Sequence, residues 1–116
     1  IEQRGTDNVD AYNLYLMARR NYATGIESDP RRAEASIRLC SRATQLDPNY
    51  PRAWALMALG QMLLRFSHGR RGDDGMSAAE RALTLDANLA EAHAVKARIL
   101  SQYGRHDEAS AELEVA

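Results

Sequence analysis

The sequence predicts an all-α fold built from repeated helix–turn–helix units. Three observations point there. The stretch Ala43-Thr-Gln-Leu46-Asp47-Pro48-Asn49-Tyr50-Pro51-Arg52-Ala53-Trp54 returns 39 residues later as Ala82-Leu-Thr-Leu85-Asp86-Ala87-Asn88-Leu89-Ala90-Glu91-Ala92-His93, with Ala, Leu, Asp, Asn and Ala in register. Recurrence of one turn at a period of a few tens of residues marks a repeat array. Apolar residues elsewhere recur at three- and four-residue steps, the helical period. No stretch alternates apolar and polar residues in the way a half-buried strand requires.

The elements follow in order. Asp7 or Asn8 caps a first helix that runs to about Thr24, with Ala11, Tyr12, Tyr15, Leu16, Ala18 and Tyr22 on its apolar side and Gly25 as its stop. Asp29-Pro30, a cap followed by a first-turn proline, opens a second helix with an inner stripe of Ala33, Ile37, Cys40, Ala43 and Leu46. Pro48 breaks that helix, and Pro51 starts a third that reaches about Phe66. Its apolar residues lie on two sides, Trp54, Met57 and Ala58 on one and Leu56, Leu59, Met62 and Leu63 on the other, so it is expected between neighbours. Three glycines and four charges between Ser67 and Gly75 form a loop. A fourth helix from about Asp74 to Leu85 points Ala78, Ala79, Ala82 and Leu85 inward. Asn88 and Glu91 suggest a capping box for a fifth helix to about Tyr103. Gly104 ends it, and a sixth begins near His106 with Ala109, Leu113 and Ala116 inward. One helical pair cannot bury both its faces, so the pairs must stack.

Composition narrows the function. The chain of 116 residues is one domain at most, 45% apolar, with a net charge of −1. Near-neutrality argues against nucleic acid, although Arg19, Arg20, Arg31, Arg32, Arg38 and Arg42 make the first half locally basic. No apolar run approaches a membrane span. The single cysteine, Cys40, forbids an internal disulfide and fits a reducing, cytoplasmic compartment. The chain starts at Ile1 without Met and stops inside a predicted helix, which reads as a piece of a longer protein.

No residue set predicts catalysis, a cofactor or a metal. His68 with Asp73 and Asp74 on a glycine-rich loop is a poor ligand set, and the same two carboxylates would repel an anion from the following helix N-terminus. Cys40 lies on an inward stripe with no base to activate it. His93 occupies the place of Trp54 one unit earlier and reads as a packing residue. His106 opens the last helix on the surface. No nucleophile, base and orienting group can be named together.

Ala90-Glu-Ala92-His93, Ala97, Tyr103-Gly104-Arg105-His106-Asp107-Glu108-Ala109, Leu113 and Ala116 resemble the pattern of the tetratricopeptide repeat family. Ala53-Trp54, Ala58 and Ala82 match it in a middle unit. Ala11-Tyr12, Ala43 and Asp47-Pro48-Asn49 match it in a first. The resemblance implies three units, about 8–48, 49–87 and 88–116, stacked as a right-handed α-superhelix. The units start 42 and 39 residues apart (Ala11, Ala53, Ala92), against the family's period of about 34. The surplus falls near Glu27–Arg32 and His68–Gly75. More narrowly, Ala11-Tyr12-Asn13-Leu14-Tyr15-Leu16 and the two joints resemble the repeat region that follows the catalytic domain of bacterial class III adenylate cyclases, or winged-helix domains in some regulators.

The resemblance also implies a concave groove that holds a peptide or a helix, lined by the first helix of each unit. The first unit would contribute Asn13, Met17, Arg20 and Asn21. The second would contribute Arg52, Ala55, Leu59, Met62 and Leu63, and the third Glu91, Ala94, Arg98, Ser101 and Gln102. The family's carboxylate-clamp positions hold Asn13, Met17, Leu56, Glu91 and Val95, and Glu91 would repel a carboxylate. The implied function is a non-catalytic interaction module of a bacterial signalling protein such as a cyclase; the alternative is a stand-alone scaffold or assembly adaptor. A missing cap after the sixth helix predicts self-association through Val95, Ile99, Leu113 and Val115.

Overall fold

The computed structural model describes residues 5–23 and 29–115. Six α-helices follow one another: α1 (Val9–Ala23), α2 (Pro30–Leu46), α3 (Pro51–Met62), α4 (Met76–Leu85), α5 (Ala90–Gln102) and α6 (His106–Val115). No strand occurs among the described residues. The readings at Thr24, Gly25, Glu27 and Ala116 lie outside them.

The helix starts obey local chemistry. Asn8 Oδ1 accepts from the Ala11 amide at 2.9 Å, and Asp29 Oδ1 accepts from the Arg31 amide at 2.9 Å. Asp74 Oδ1 accepts from the Met76 amide at 2.8 Å, so this residue precedes α4, whose capping position is Gly75, rather than opening the helix. The expected capping box before α5 is not formed. The helix starts after Leu89, which holds the capping position and has no acceptor side chain, while the Asn88 backbone amide donates to Asp86 Oδ1 at 3.1 Å in the preceding turn.

Each helix packs on the next in the chain, and α3 also packs on α5. The Ser36 hydroxyl ties α2 to the Ala18 carbonyl of α1 at 3.4 Å. The main core gathers Ala18, Ala33, Cys40, Met57, Ala58, Met62, Leu63, Ala79, Val95 and Ile99 from five helices. A second cluster is built on Tyr50, fully buried, with its ring 5.3 Å from that of Tyr15. Leu46 and Leu113, expected inward, are 47% and 57% exposed. Each lies near a helix end, and Leu113 only edges an open recess beside Ala97 of α5.

The third helix does not stay α-helical to Phe66. Leu63–Ser67 is π-helical, and the His68 amide reaches back to the Leu63 carbonyl at 3.1 Å. A π turn adds a residue per turn. Here it lets Leu63 stay buried while Phe66 meets Tyr103 edge-on, with centroids 5.6 Å apart. The following loop is tied down at several points. The Arg65 guanidinium donates to the Gly72 carbonyl at 3.0 Å, Arg70 pairs with Glu34 at 2.6 Å, and the Tyr103 hydroxyl donates to Asp74 Oδ2 at 2.6 Å.

Gly75 closes the loop with φ +96°, and a Cβ there would lie 2.3 Å from the Ala58 carbonyl oxygen. Its backbone is the point where α4 meets α3. Gly69 has φ +65° with open space around it. Gly69→Ala should cost only the left-handed backbone penalty, about 1 kcal/mol. Gly75→Ala adds a backbone clash and should cost roughly 2–4 kcal/mol. Urea titrations of both variants, compared at equal slope, measure the difference.

Candidate functional site

The two joints place α3 and α5 side by side. Since the joints repeat at 39 residues, the faces of the two helices fall in register. Arg52 matches Glu91, Ala55 matches Ala94, Leu56 matches Val95, and Leu59 matches Arg98. These eight side chains and Tyr15 of α1 line one open hollow of about 260 Å³. Its lining is mostly apolar; Arg52, Glu91 and Arg98 are its charged residues.

Of the residues expected in a groove, Arg52, Ala55, Leu59, Glu91, Ala94 and Arg98 line this one hollow. Tyr15, Leu56 and Val95 also line it; the resemblance points to Leu56 and Val95 only as clamp positions, and to Tyr15 not at all. Leu56 and Val95 are the 39-residue partners of each other, a signal present in the repeat itself. Tyr15 carried no such signal, since α1 has no equivalent joint before it.

The other expected residues lie elsewhere. Met62 and Leu63 are 3% and 1% exposed, inside the main core. They share a helical face with Leu59, but Val95 and Ile99 of α5 and Ala78 and Ala79 of α4 close over them. That overturns their reading as groove residues. Asn13, Met17, Arg20 and Asn21 do not line the hollow. Met17 is half exposed. α1 packs mainly along α2 and meets α3 only slightly, and of its side chains Tyr15 reaches the hollow. Ser101 and Gln102 line a separate shallow recess with Ala94, Ala97, Arg98 and Leu113.

Electrostatics add little reactive chemistry. Burial pushes the Tyr15 hydroxyl up against the lowering influence of Arg19 and Arg52, and the Arg19 guanidinium lies 5.8 Å from the ring centroid. In the loop, burial would raise the Asp74 carboxyl, but hydrogen bonds from Tyr103 and the Met76 amide outweigh it and hold the group below the usual range. The described residues contain no group of three or more His, Cys, Asp or Glu placed to hold a metal ion. No helix among them is long and apolar enough to cross a membrane.

Val95 and Ile99, expected as exposed surface near the C-terminus, are buried. Of that set Leu113 alone is described as exposed; the Val115 side chain lies outside the described residues.

No protein-family model and no curated protein matches the chain.

Cys40 is fully buried, and burial pushes its thiol up to about 12, more than a hydrogen bond with Ser36 lowers it. The thiolate is the reactive form. A thiol-specific reagent at about pH 8 should therefore leave Cys40 unmodified in the folded protein and label it once denaturant is added. Rapid labelling of the native chain would place Cys40 on the surface.

Proposed function

We propose that the chain is a non-catalytic, tetratricopeptide-like interaction module that holds a segment of another protein, or of its own parent chain, between α3 and α5. The observation that carries this reading is the hollow built in register by two helices that follow equivalent joints. At about 260 Å³ it falls below the usual volume of roughly 300–1,000 Å³ for small-molecule sites. It is also open rather than enclosed. Such a surface suits a few apolar side chains of a longer segment, laid as a helix stripe or an extended strand.

The charged residues of the hollow set the expected chemistry of that segment. Arg52 and Arg98 come from different helices and stand at opposite ends of the register, with Glu91 beside Arg52. The favoured partner carries an apolar stripe with an acidic residue near Arg98. A free carboxylate docked next to Glu91 is disfavoured.

The wider reading rests on sequence likeness. We take the three helical pairs as units of a right-handed superhelix and the parent as a cytoplasmic bacterial signalling protein, an adenylate cyclase by the resemblance of the joints. Self-association through the outer face of α6 belongs to the same proposal and is supported by the exposure of Leu113.

Ala94 offers a clean test, because it is exposed and yet lines the hollow. Ala94→Trp should leave stability within about 0.5 kcal/mol of the original while filling the space. Displayed peptide libraries selected on the intact chain should yield segments with apolar residues at helical or alternating spacing. Ala94→Trp should weaken these at least about tenfold, the loss of one good apolar contact. Selection of no peptides, or of peptides indifferent to Ala94→Trp, would sink the reading.

A further inference from the structure

The two joints are each fastened by an aromatic ring, and the rings differ in one respect. At the first, the Trp54 indole N–H donates to the Pro48 carbonyl at 2.8 Å. At the second, 39 residues on, His93 Nε2 lies 2.7 Å from the Ala87 carbonyl. The indole has one nitrogen and does not titrate. The imidazole has a second, and its Nδ1 lies 2.7 Å from Glu112 Oε2 of α6.

Both partners of His93 are acceptors. A carbonyl oxygen has no proton to give, and an ionised carboxylate has none either. Neutral imidazole carries one N–H, so one of the two contacts would then set a lone pair against an oxygen. Only the imidazolium donates to both. His93 is 6% exposed, so water cannot readily take over the orphaned contact.

The contact matters because it ties α6, which otherwise packs along α5, to the second joint. Ala109 is the one apolar side chain that α6 buries among the described residues. We propose that His93 is a proton-operated clasp that fastens α6 to the second joint, and that its release loosens α6 from Ala97 and Leu100 of α5. The charged groups around it are few. α6 contributes Glu112, and α5 contributes Lys96, whose ammonium is 3.0 Å from Glu112 Oε1. α4 contributes Glu80, which shares a polar recess with Lys96 and Glu112. Lys96 opposes the imidazolium and keeps its own bridge to Glu112, so release is partial.

The signs of the shifts agree with this. Burial lowers the His93 pKa, but the Ala87 carbonyl and Glu112 outweigh it and raise it above the ordinary value. A raised histidine contributes its full stability below the unfolded pKa and loses it as pH rises through the folded one. Burial raises Glu112, but His93 and Lys96 outweigh that and lower it. Its contribution is present above the unfolded pKa and is lost as pH falls through the folded one. Docking of α6 is therefore strongest in the mildly acidic window between the two.

Amide exchange of the whole chain by NMR, with protection corrected for the intrinsic pH dependence, tests the clasp. Between about pH 5.5 and pH 8.5, a range that brackets histidine titration, α6 protection should fall roughly tenfold, the scale of one hydrogen bond to a charged group. Protection of α2 and α3 should not follow it. Glu112→Gln supplies an amide N–H that neutral His93 Nδ1 can accept, so its α6 protection should become independent of pH. Constant α6 protection in the original chain, an unchanged pH dependence in Glu112→Gln, or ring nitrogen shifts of a neutral His93 at about pH 6 would each overturn the proposal.

Discussion

One aspartate at each joint sets the geometry on which the rest depends. Asp47 ends α2 with its amide on the Ala43 carbonyl, and its carboxylate accepts from the Asn49 amide at 3.1 Å. Asp86 repeats both contacts with Ala82 and Asn88, again at 3.1 Å. The backbone angles agree, φ −140° and ψ 92° at Asp47 against −146° and 95° at Asp86. Pro48 occupies the first joint and Ala87 the second, yet the turns are the same. The carboxylate-to-amide bond therefore carries the turn, and proline only pre-sets it. Since each joint fixes where the next helix starts, it also fixes the register that brings Arg52 to Glu91 and Leu59 to Arg98.

That register is useful only if the helices come close, and alanine allows it. Ala43, Ala53, Ala58, Ala82 and Ala92 are wholly buried, and Ala97 and Ala109 nearly so. Small side chains at the seams leave few large ones in the interior: the biggest fully buried are Tyr50, Leu63 and Ile99. Stability is then spread over many close interfaces between neighbouring helices rather than held in one large core. Gly75 carries this to its limit, where even a methyl group would strike the Ala58 carbonyl.

The sequence shows these features unequally. Six helices, their caps at Asn8 and Asp29, and the repeated joint are legible because each rests on contacts within a few residues. Six of the nine residues lining the hollow are legible for the same reason, since the register of α3 and α5 is written in the repeat. What fails is whatever depends on a third helix. Met62 and Leu63 belong with Leu59 on an isolated cylinder, and only the convergence of α4 and α5 buries them. The π turn at Leu63–Ser67 leaves no local signature, because it answers to the packing of Leu63 and Phe66. The orientation of α1, which removes Asn13, Met17, Arg20 and Asn21 from the hollow, follows a connection with no matching joint.

His93 shows how a repeated position can keep one role and gain another. As a packing residue in the place of Trp54, it fastens the joint carbonyl just as the indole does. Its second nitrogen extends the same fastening to the next helix. α5 thus carries the joint and α6 on one side and the hollow on the other. The two sides are not independent: Ala94 and Arg98 line the hollow and also the outer recess that Leu113 of α6 helps to form. The loosening of α6 proposed above would withdraw Leu113 from the recess it shares with Arg98, which also lines the hollow. The proposed protonation at the second joint and the proposed recognition between α3 and α5 thus meet on the two faces of a single helix.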